Sequence, residues 1–198
     1  MDVLVILEES HGSLHRLSKE AIAGAQELGS DIAALIIGKN SDVIASELSS
    51  FDLTEIITVN HQMVETYNAD GYSEIIKKII NAESPNLIVA GHTYQTRDFM
   101  PRVSAGLNIP FIPDVVSLSD GKFVKQVLNA KLNATLSSNS EQALISFQSA
   151  AFSDENIRKG SCSTRSFDVD LDSTIVRSVS EMPFQEEAGD VDLESAEL

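Results

Sequence analysis

The sequence is short of residues that several classes of protein require. Its 198 residues include one cysteine, Cys162, and no tryptophan, so an internal disulfide and a multi-cysteine metal site are excluded. Basic residues are also few, because 14 Lys and Arg stand against 30 Asp and Glu, a formal net charge of −16. That balance argues against nucleic acid as the main partner, since such binding depends on Lys and Arg that meet phosphate. We expect Cys162 to be a free thiol.

The N-terminus lacks a long hydrophobic run. It holds a five-residue aliphatic segment, Val3–Leu7, with no basic residue before it. A run of this length is too short for a signal peptide or a transmembrane span. The sequence therefore predicts no membrane insertion and a cytoplasmic location. Hydrophobic residues still make up 42% of the chain, a share that is typical of a folded protein rather than a disordered one.

The negative charge is concentrated at the C-terminus. Residues 181–198 carry seven acidic side chains and no basic one, whereas the first 180 residues have a net charge of −9. A segment rich in like charges stays extended and solvated. We therefore predict a folded domain over residues 1–183 and an acidic hinge or linker over residues 184–198.

The first half of the chain alternates between buried strands and amphipathic helices. Short aliphatic runs predict the strands, and apolar residues at spacings of three and four predict the helices. This alternation favours right-handed crossovers and an α/β fold in which helices cover both faces of an open, mainly parallel sheet, giving three layers. The predicted strands are Val3–Leu7, Ile32–Ile37, Glu55–Val59 and Leu87–Ala90, and the last predicted helix is Arg97–Leu107.

The second half has a different pattern. From about Ile112, short strand-like segments separated by turn signals replace the alternation. We expect them to extend the sheet with antiparallel strands rather than to form a separate core. The predicted strands are Phe123–Leu128, Leu132–Leu136 and Ala143–Phe147, with further candidates at 164–172 and 174–179.

Motifs that carry chemistry are sparse. The chain contains no G-x-G-x-x-G, no P-loop and no G-x-S-x-G. His11 and His15 would need a third ligand such as Glu8 or Glu9 to hold a metal, and a solvated loop and helix start is the favoured interpretation. Glu8 and Glu9 have the chemistry of an acid–base pair, but two exposed loop carboxylates are favoured. The sequence therefore predicts neither a metal site nor a catalytic residue.

One segment, from Gly91 to Ala105, follows a predicted buried strand and begins a helix. In open α/β sheets, ligands bind at the carboxyl ends of strands where the strand order reverses. A strand order of 3-2-1-4 would place the ends of the first and fourth strands side by side. Free N–H groups at the helix start would then join Arg97 in a site for an anion. Alternatively, Arg97 pairs with Asp98 or Glu9 and the turn only shapes the start of the helix.

The same segment resembles the signature G-x-x-x-x-G-R-D-x-x-P-R-x-A of the electron transfer flavoprotein alpha subunit, which lies in its N-terminal domain. Arg97, Asp98, Pro101 and Arg102 match the core of that signature. By this resemblance, the four residues are expected to be structural or interface residues rather than catalytic ones.

Weaker similarities extend the resemblance over nearly the whole chain. They lie at Val5–Leu14, at Asn108–Val115 and at Val191–Ala196, which looks like the hinge before the family's second domain. Two positions depart from the family. Thr96 stands in place of a glycine, which puts the backbone geometry of that turn in question, and the segment Leu128–Ala134 lacks the family's glycine.

The resemblance implies the platform domain of a heterodimeric electron carrier rather than an enzyme. In that family the alpha subunit pairs with a beta subunit, and FAD lies between them. Electrons pass from acyl-CoA or other dehydrogenases to a quinone oxidoreductase or another acceptor. Most contacts to FAD come from a C-terminal domain that this chain is expected to lack. No cofactor-binding residue is therefore carried over, and no cofactor is expected in this chain alone.

A second resemblance leads to another class of function. The predicted sheet is similar to adenine-nucleotide-binding domains of the adenine nucleotide alpha hydrolase type, including universal stress proteins. A stand-alone sensor of this type would hold AMP or ATP between the first and fourth strands. The missing Gly-rich phosphate loop and the additional strands of the second half argue against it. A third interpretation is an interaction module that binds no small ligand.

Overall fold

Strands and helices alternate through the first 107 residues of the computed structural model, which describes residues 1–178 and 180–181. The four predicted strands and the alternating helices are confirmed, and the predicted linker at 184–198 lies outside the described residues. A short hairpin, β2 and β3, replaces part of a predicted loop. The strands are β1 (Val3–Leu7), β2 (Glu9–Ser10), β3 (Ser13–Leu14), β4 (Ile32–Ile37), β5 (Glu55–Val59) and β6 (Leu87–Gly91). The helices are α1 (Arg16–Leu28), α2 (Ser41–Leu48), α3 (Ala69–Glu83) and α4 (Tyr94–Leu107).

The rest of the described chain is mainly strand. It contributes β7 (Phe111–Ser119), β8 (Lys122–Val127), β9 (Leu132–Leu136), β10 (Ala143–Phe147) and β11 (Ser163–Ser166). Three of these confirm the predicted strands. Of the candidate strand at 164–172, only the part within β11 is a strand, and residues 174–178 form no strand. The long strand β7 was not predicted, because Pro113 and Asp114 interrupt its apolar pattern.

Among the described residues, nine strands form one sheet in the order β11-β5-β4-β1-β6-β10-β7-β8-β9. The order β5-β4-β1-β6 is the 3-2-1-4 order under which the first and fourth strands end side by side. All neighbouring pairs from β11 to β7 are parallel, and only β8 and β9 are antiparallel. The expectation that β10 belongs to the antiparallel extension is therefore wrong. All five β10 residues are buried, which suits a parallel strand inside the sheet.

Two hydrophobic clusters hold the helices against the sheet, one on each face. Val5 of β1 lies in the cluster that contains Ile22 of α1, and its neighbour Leu4 lies in the cluster that contains Ile75 of α3. Each large aliphatic side chain buried in this way contributes about 1.5–3 kcal/mol. Among the described residues, no helix has both the length and the apolar character needed to cross a membrane.

Candidate functional site

The carboxyl ends of β1 and β6 lie side by side and border a crevice of about 390 Å³. The sheet changes winding direction here, because the chain runs from β1 outward to β4 and β5 and then returns to β6. Ligands bind most often at such a point in open α/β sheets, as the sequence predicted. Residues from the end of β1, the start of α1 and the turn between β6 and α4 line the crevice: Glu8, His15, Leu17, His92, Thr93 and Arg97.

Gly91, the last residue of β6, allows α1 to approach the sheet closely. A Cβ atom at this position would lie 2.6 Å from the Cβ of Leu17 and 2.8 Å from its carbonyl oxygen. Both distances are far below a van der Waals contact, and one of them involves backbone. The glycine that begins the family signature therefore has a packing reason in this chain.

Thr93 begins helix α4 and links it to β1. Its hydroxyl oxygen accepts a hydrogen bond from the backbone N–H of Thr96 at 3.1 Å, which caps the helix. The same hydroxyl donates to the carboxylate of Glu8 at 2.5 Å. Thr96 lies in the first helical turn, is buried and has no positive φ. The threonine that replaces the family's glycine therefore leaves an ordinary helical turn.

The carboxylate of Glu8 changes what the crevice can bind. It reaches the N-terminal end of α4 through Thr93, where free N–H groups and the helix dipole favour negative charge. The protein thus supplies an anion of its own at the place where a phosphate group would bind. A phosphate that entered would meet the like charge of Glu8, so the geometry weakens the interpretation of this crevice as an anion site.

His92, Ser146 and Asp114 form a cluster that joins β6, β10 and β7. The Nδ1 atom of His92 lies 2.8 Å from the hydroxyl of Ser146, which also accepts the backbone N–H of Asp114 at 3.1 Å. The Nε2 atom of His92 lies 3.9 Å from the Asp114 carboxylate. Burial lowers the pKa of His92, against the opposing effect of Asp114. Ser146 is fully buried, so the cluster ties strands together and offers no nucleophile.

Sequence reasoning missed this cluster because its members are far apart in the chain and belong to no motif. Asp114 also has a φ of 64°, a backbone conformation that Asp and Asn tolerate better than most residues. The one available signal was an Asp directly after a proline within a strand-like segment, and that signal is weak.

Arg97 lies on the exposed surface of α4. Its guanidinium carbon is 5.6 Å from the centre of the Tyr94 ring, and Tyr94 is 88% exposed. No carboxylate among the described residues lies within ion-pair distance of Arg97. The alternative in which Arg97 pairs with Asp98 or Glu9 is therefore wrong, because the helix turns its side chain toward Tyr94 at the rim of the crevice.

Asp98 and Arg102 occupy the side of α4 that faces α3. Arg102 donates to Asp98 at 3.2 Å and lies 3.6 Å from the carboxylate of Asp70 on α3. Asp98 also accepts a hydrogen bond from the Tyr67 hydroxyl at 3.0 Å. Pro101 is exposed in the same helix and has no N–H to donate to the carbonyl group four residues earlier.

The segment after β11, residues 167–178, crosses the α3 and α4 side of the sheet, and we call it the strap. Leu171 of the strap is buried in the cluster that contains Ile79 and Met100. Arg177 fixes its far end, because both its backbone N–H and its guanidinium donate to Asp70 at 2.8 Å. These bonds from Arg177 hold the pKa of the Asp70 carboxyl below its usual range.

His15, Glu8 and Glu9, near the N-terminus, each form hydrogen bonds within the protein. His15 caps α1, since its Nδ1 accepts the backbone N–H of Leu17 at 3.1 Å. Glu9 accepts hydrogen bonds from the Gly12 N–H and from Asn40. The expectation of two exposed loop carboxylates is wrong, because Glu8 and Glu9 are half-buried and bind different elements. Within the described part of the chain, no three His, Cys, Asp or Glu side chains are arranged to hold a metal ion.

Cys162 is a free, half-buried thiol. Its Sγ donates to the carbonyl oxygen of Leu48 at 3.4 Å, which places it beside α2. Burial raises the pKa of this thiol, and a raised pKa keeps it protonated and unreactive at neutral pH.

Comparison with known proteins gives a consistent result. The electron transfer flavoprotein domain family matches residues 3–172. The electron transfer flavoprotein subunit alpha of Bacillus subtilis is 29% identical to this chain. The match covers 99% of this chain and 62% of that protein. The probable mitochondrial electron transfer flavoprotein subunit alpha of Schizosaccharomyces pombe is 24% identical to 76% of the chain, and 45% of that protein is covered.

A differently named relative also matches. The acryloyl-CoA reductase electron transfer subunit beta of Anaerotignum propionicum is 28% identical to 59% of the chain, and the match covers 33% of that protein. The chain thus spans between one third and about three fifths of the length of these three relatives.

Proposed function

The chain belongs to the electron transfer flavoprotein domain family, and on that premise we propose that it is the platform domain of an alpha-type subunit. In this proposal residues 1–183 form the platform and residues 184–198 form an acidic linker. The platform packs on a beta subunit in a heterodimer that contains FAD and is located in the cytoplasm. The heterodimer carries electrons from acyl-CoA or other dehydrogenases to a quinone oxidoreductase or another acceptor.

The extent of the family match carries this proposal. It runs from the first strand to Asp172 in the strap, and therefore includes the whole sheet and both helical layers. A relative named as an alpha subunit matches over 99% of the chain and therefore across that same sheet. The match is not confined to one motif, and a shared complete domain is stronger support than the Arg97–Arg102 signature alone.

The crevice residues do not fit FAD. The pyrophosphate of a dinucleotide needs a glycine-rich turn and a free helix N-terminus, whereas here the Glu8 carboxylate lies at the start of α4. FAD supplies one- and two-electron redox chemistry where it is bound. We therefore assign its contacts to other parts of the complex, and we give this chain the role of a scaffold that positions them.

The four signature residues divide between two roles in this proposal. Asp98 and Arg102 are structural, because they join α4 to Tyr67 and Asp70. Arg97 and Pro101 lie on the exposed side of the same helix, and we assign them to an interface. The adenine-nucleotide sensor has less support, since Glu8 opposes a phosphate at the crevice.

Assembly with a beta subunit tests the proposal directly. The full chain and the electron transfer flavoprotein beta subunit of the same source are mixed at micromolar concentrations and analysed by size-exclusion chromatography with light scattering. We expect a 1:1 complex, and the absence of a complex under these conditions would overturn the platform role. Calorimetry with AMP and ATP separates the alternative, because saturable binding of either nucleotide to the chain alone would favour the sensor.

A further inference from the structure

The far end of the sheet carries an exposed hairpin that the crevice does not involve. Strands β8 and β9 and the turn between them, residues 122–136, form this hairpin, which we call the arm. Its outer strand β9 has no fully buried residue, whereas β10, three positions further into the sheet, is buried throughout. The arm thus extends beyond the helices that cover the rest of the sheet.

Strand β9 is an unprotected sheet edge. It pairs with β8 on one side and is the last strand in the sheet order of the described residues. Its sequence, Leu-Asn-Ala-Thr-Leu, contains neither a charged residue nor a proline. Natural edge strands usually carry such residues to prevent pairing with other chains. Their absence leaves a row of backbone donors and acceptors available to a partner's strand.

One face of the arm is mainly apolar as well, although Lys125 lies on it opposite Ala134. Leu132 and Leu136 lie on the same face of β9, and they are 57% and 37% exposed. They pair across the hairpin with Val127 and Phe123, and Phe123 is buried in the core cluster on the α1 side. The exposed leucines therefore continue the hydrophobic core outward, past the last helix that covers it.

The turn at the end of the arm adds a third exposed leucine in an unfavourable backbone conformation. Leu128, Asn129 and Ala130 have φ values of 53°, 54° and 61°, a region that disfavours leucine and alanine. Leu128 is nonetheless 69% exposed, so no burial of its side chain compensates for the strain. Strained residues of this kind persist most often at functional sites.

Charge indicates the chemistry of the partner. Residues 121–140 contain Lys122, Lys125 and Lys131 and no acidic residue, in a chain whose net charge is −16. A partner with an acidic rim would be attracted to this region. A second copy paired edge to edge would bring the same three lysines toward one another around a two-fold axis, which opposes that arrangement.

We propose that the arm is the docking surface for the partner subunit, and that β9 adds to a free strand edge on that subunit. This inference rests on the proposed function, because it takes the beta subunit as the occupant. Backbone pairing along β9 supplies affinity, as in other cases of strand addition. The three exposed leucines of the arm make apolar contacts with the partner subunit beside the added strand. The lysines contact acidic residues at the rim of that surface.

The test compares two substitutions that place the same charge at exposed apolar positions. Leu132→Glu alters the arm, and Ile175→Glu alters the strap, where Ile175 is 77% exposed. Binding of each full-length variant to the beta subunit is measured by calorimetry. We expect Leu132→Glu to raise Kd at least about 30-fold and Ile175→Glu to leave it unchanged. Both variants should keep the wild-type circular dichroism spectrum, since both side chains are exposed.

A second variant tests the charge argument. Lys125→Glu combined with Lys131→Glu should slow association by about 10-fold at low salt, and the difference should shrink as salt is added. If wild type binds the beta subunit and Leu132→Glu binds equally well, the docking inference is overturned while the proposed function stands. If wild type does not bind, the proposed function fails. If the chain alone dimerises and Leu132→Glu abolishes only that dimer, the arm pairs copies of this chain and the inference is overturned.

Discussion

The centre and one edge of the nine-stranded sheet differ in how their residues are chosen. Strands β1 and β4 are buried at every position and are covered by helices on both faces, whereas β9 has no buried position. The first set of strands consists almost wholly of aliphatic residues, as strands buried on both faces require. The outer strand β9 of the arm is not constrained by the core in this way. Its leucines therefore need another explanation, and recognition of a partner supplies one.

The comparison can be tested with one pair of leucines. Leu35 in β4 is fully buried and Leu132 in β9 is 57% exposed. We expect Leu35→Ala to lower the free energy of unfolding by about 2–5 kcal/mol, because it leaves a cavity. Leu132→Ala should lower it by less than about 0.5 kcal/mol. Urea unfolding followed by circular dichroism measures both values, and equal losses would show that the arm is packed as tightly as the centre of the sheet.

A polar contact in the well-packed region should have a smaller effect. Asp70 is 7% exposed and accepts two hydrogen bonds from Arg177. We expect Asp70→Asn to lower the free energy of unfolding by about 1.5 kcal/mol, the low end for charged hydrogen bonds, because Arg177 is 74% exposed. As a control, Asp52→Asn removes a carboxylate from the exposed pair with Arg158 and should cost about 0.5 kcal/mol.

The pH dependence of the same variant gives a second readout. The pKa of Asp70 is lowered in the folded state, so the unfolded state binds the proton more tightly. The stabilisation is therefore complete above the unfolded pKa of about 3.9 and is lost as the pH falls through the folded value. The difference in unfolding free energy between wild type and Asp70→Asn should shrink below about pH 4. A difference that stays constant down to pH 2 would contradict the role given to Arg177.

The difference between the two regions also explains how much the sequence predicted. Runs such as Val3–Leu7 and Ile32–Ile37 predict their strands because a strand that is buried on both faces consists of consecutive apolar residues. Short strand-like segments between turn signals predict β9 and β10 but do not show which strands they join. Periodicity reports which residues are apolar and carries no information about a strand's neighbours, so β10 was assigned to the antiparallel extension although it lies inside the parallel sheet.

The candidate site shows the same limit. The strand order on which the sequence argument was conditional is the observed one, and it brings the ends of β1 and β6 together. The connection rules of α/β sheets do not predict which side chains bind one another. The alternative in which Arg97 pairs with Asp98 or Glu9 is wrong, because Asp98 instead binds Arg102 and Tyr67 and Glu9 binds Gly12 and Asn40. The contact of Glu8 with Thr93 joins residues 85 positions apart, and no local pattern indicates such a pair.

The smallest expected effect concerns the strained turn of the arm. Ala130 has a φ of 61°, and glycine adopts this conformation without the steric cost that alanine carries. We expect Ala130→Gly to raise the free energy of unfolding by about 0.5 kcal/mol, because relief of strain exceeds the greater flexibility of the unfolded chain.

Ala134→Gly in the regular part of β9 is the matched control for the turn. Its backbone is an ordinary strand, so glycine there should lower the unfolding free energy by about 0.5 kcal/mol. Thermal unfolding of the two variants should therefore shift the midpoint in opposite directions. Two shifts of the same sign would mean that the turn of the arm is not strained. The exposure of Leu128 would then lose its support from backbone strain, and the exposed edge, the leucines and the lysines would have to carry the docking inference by themselves.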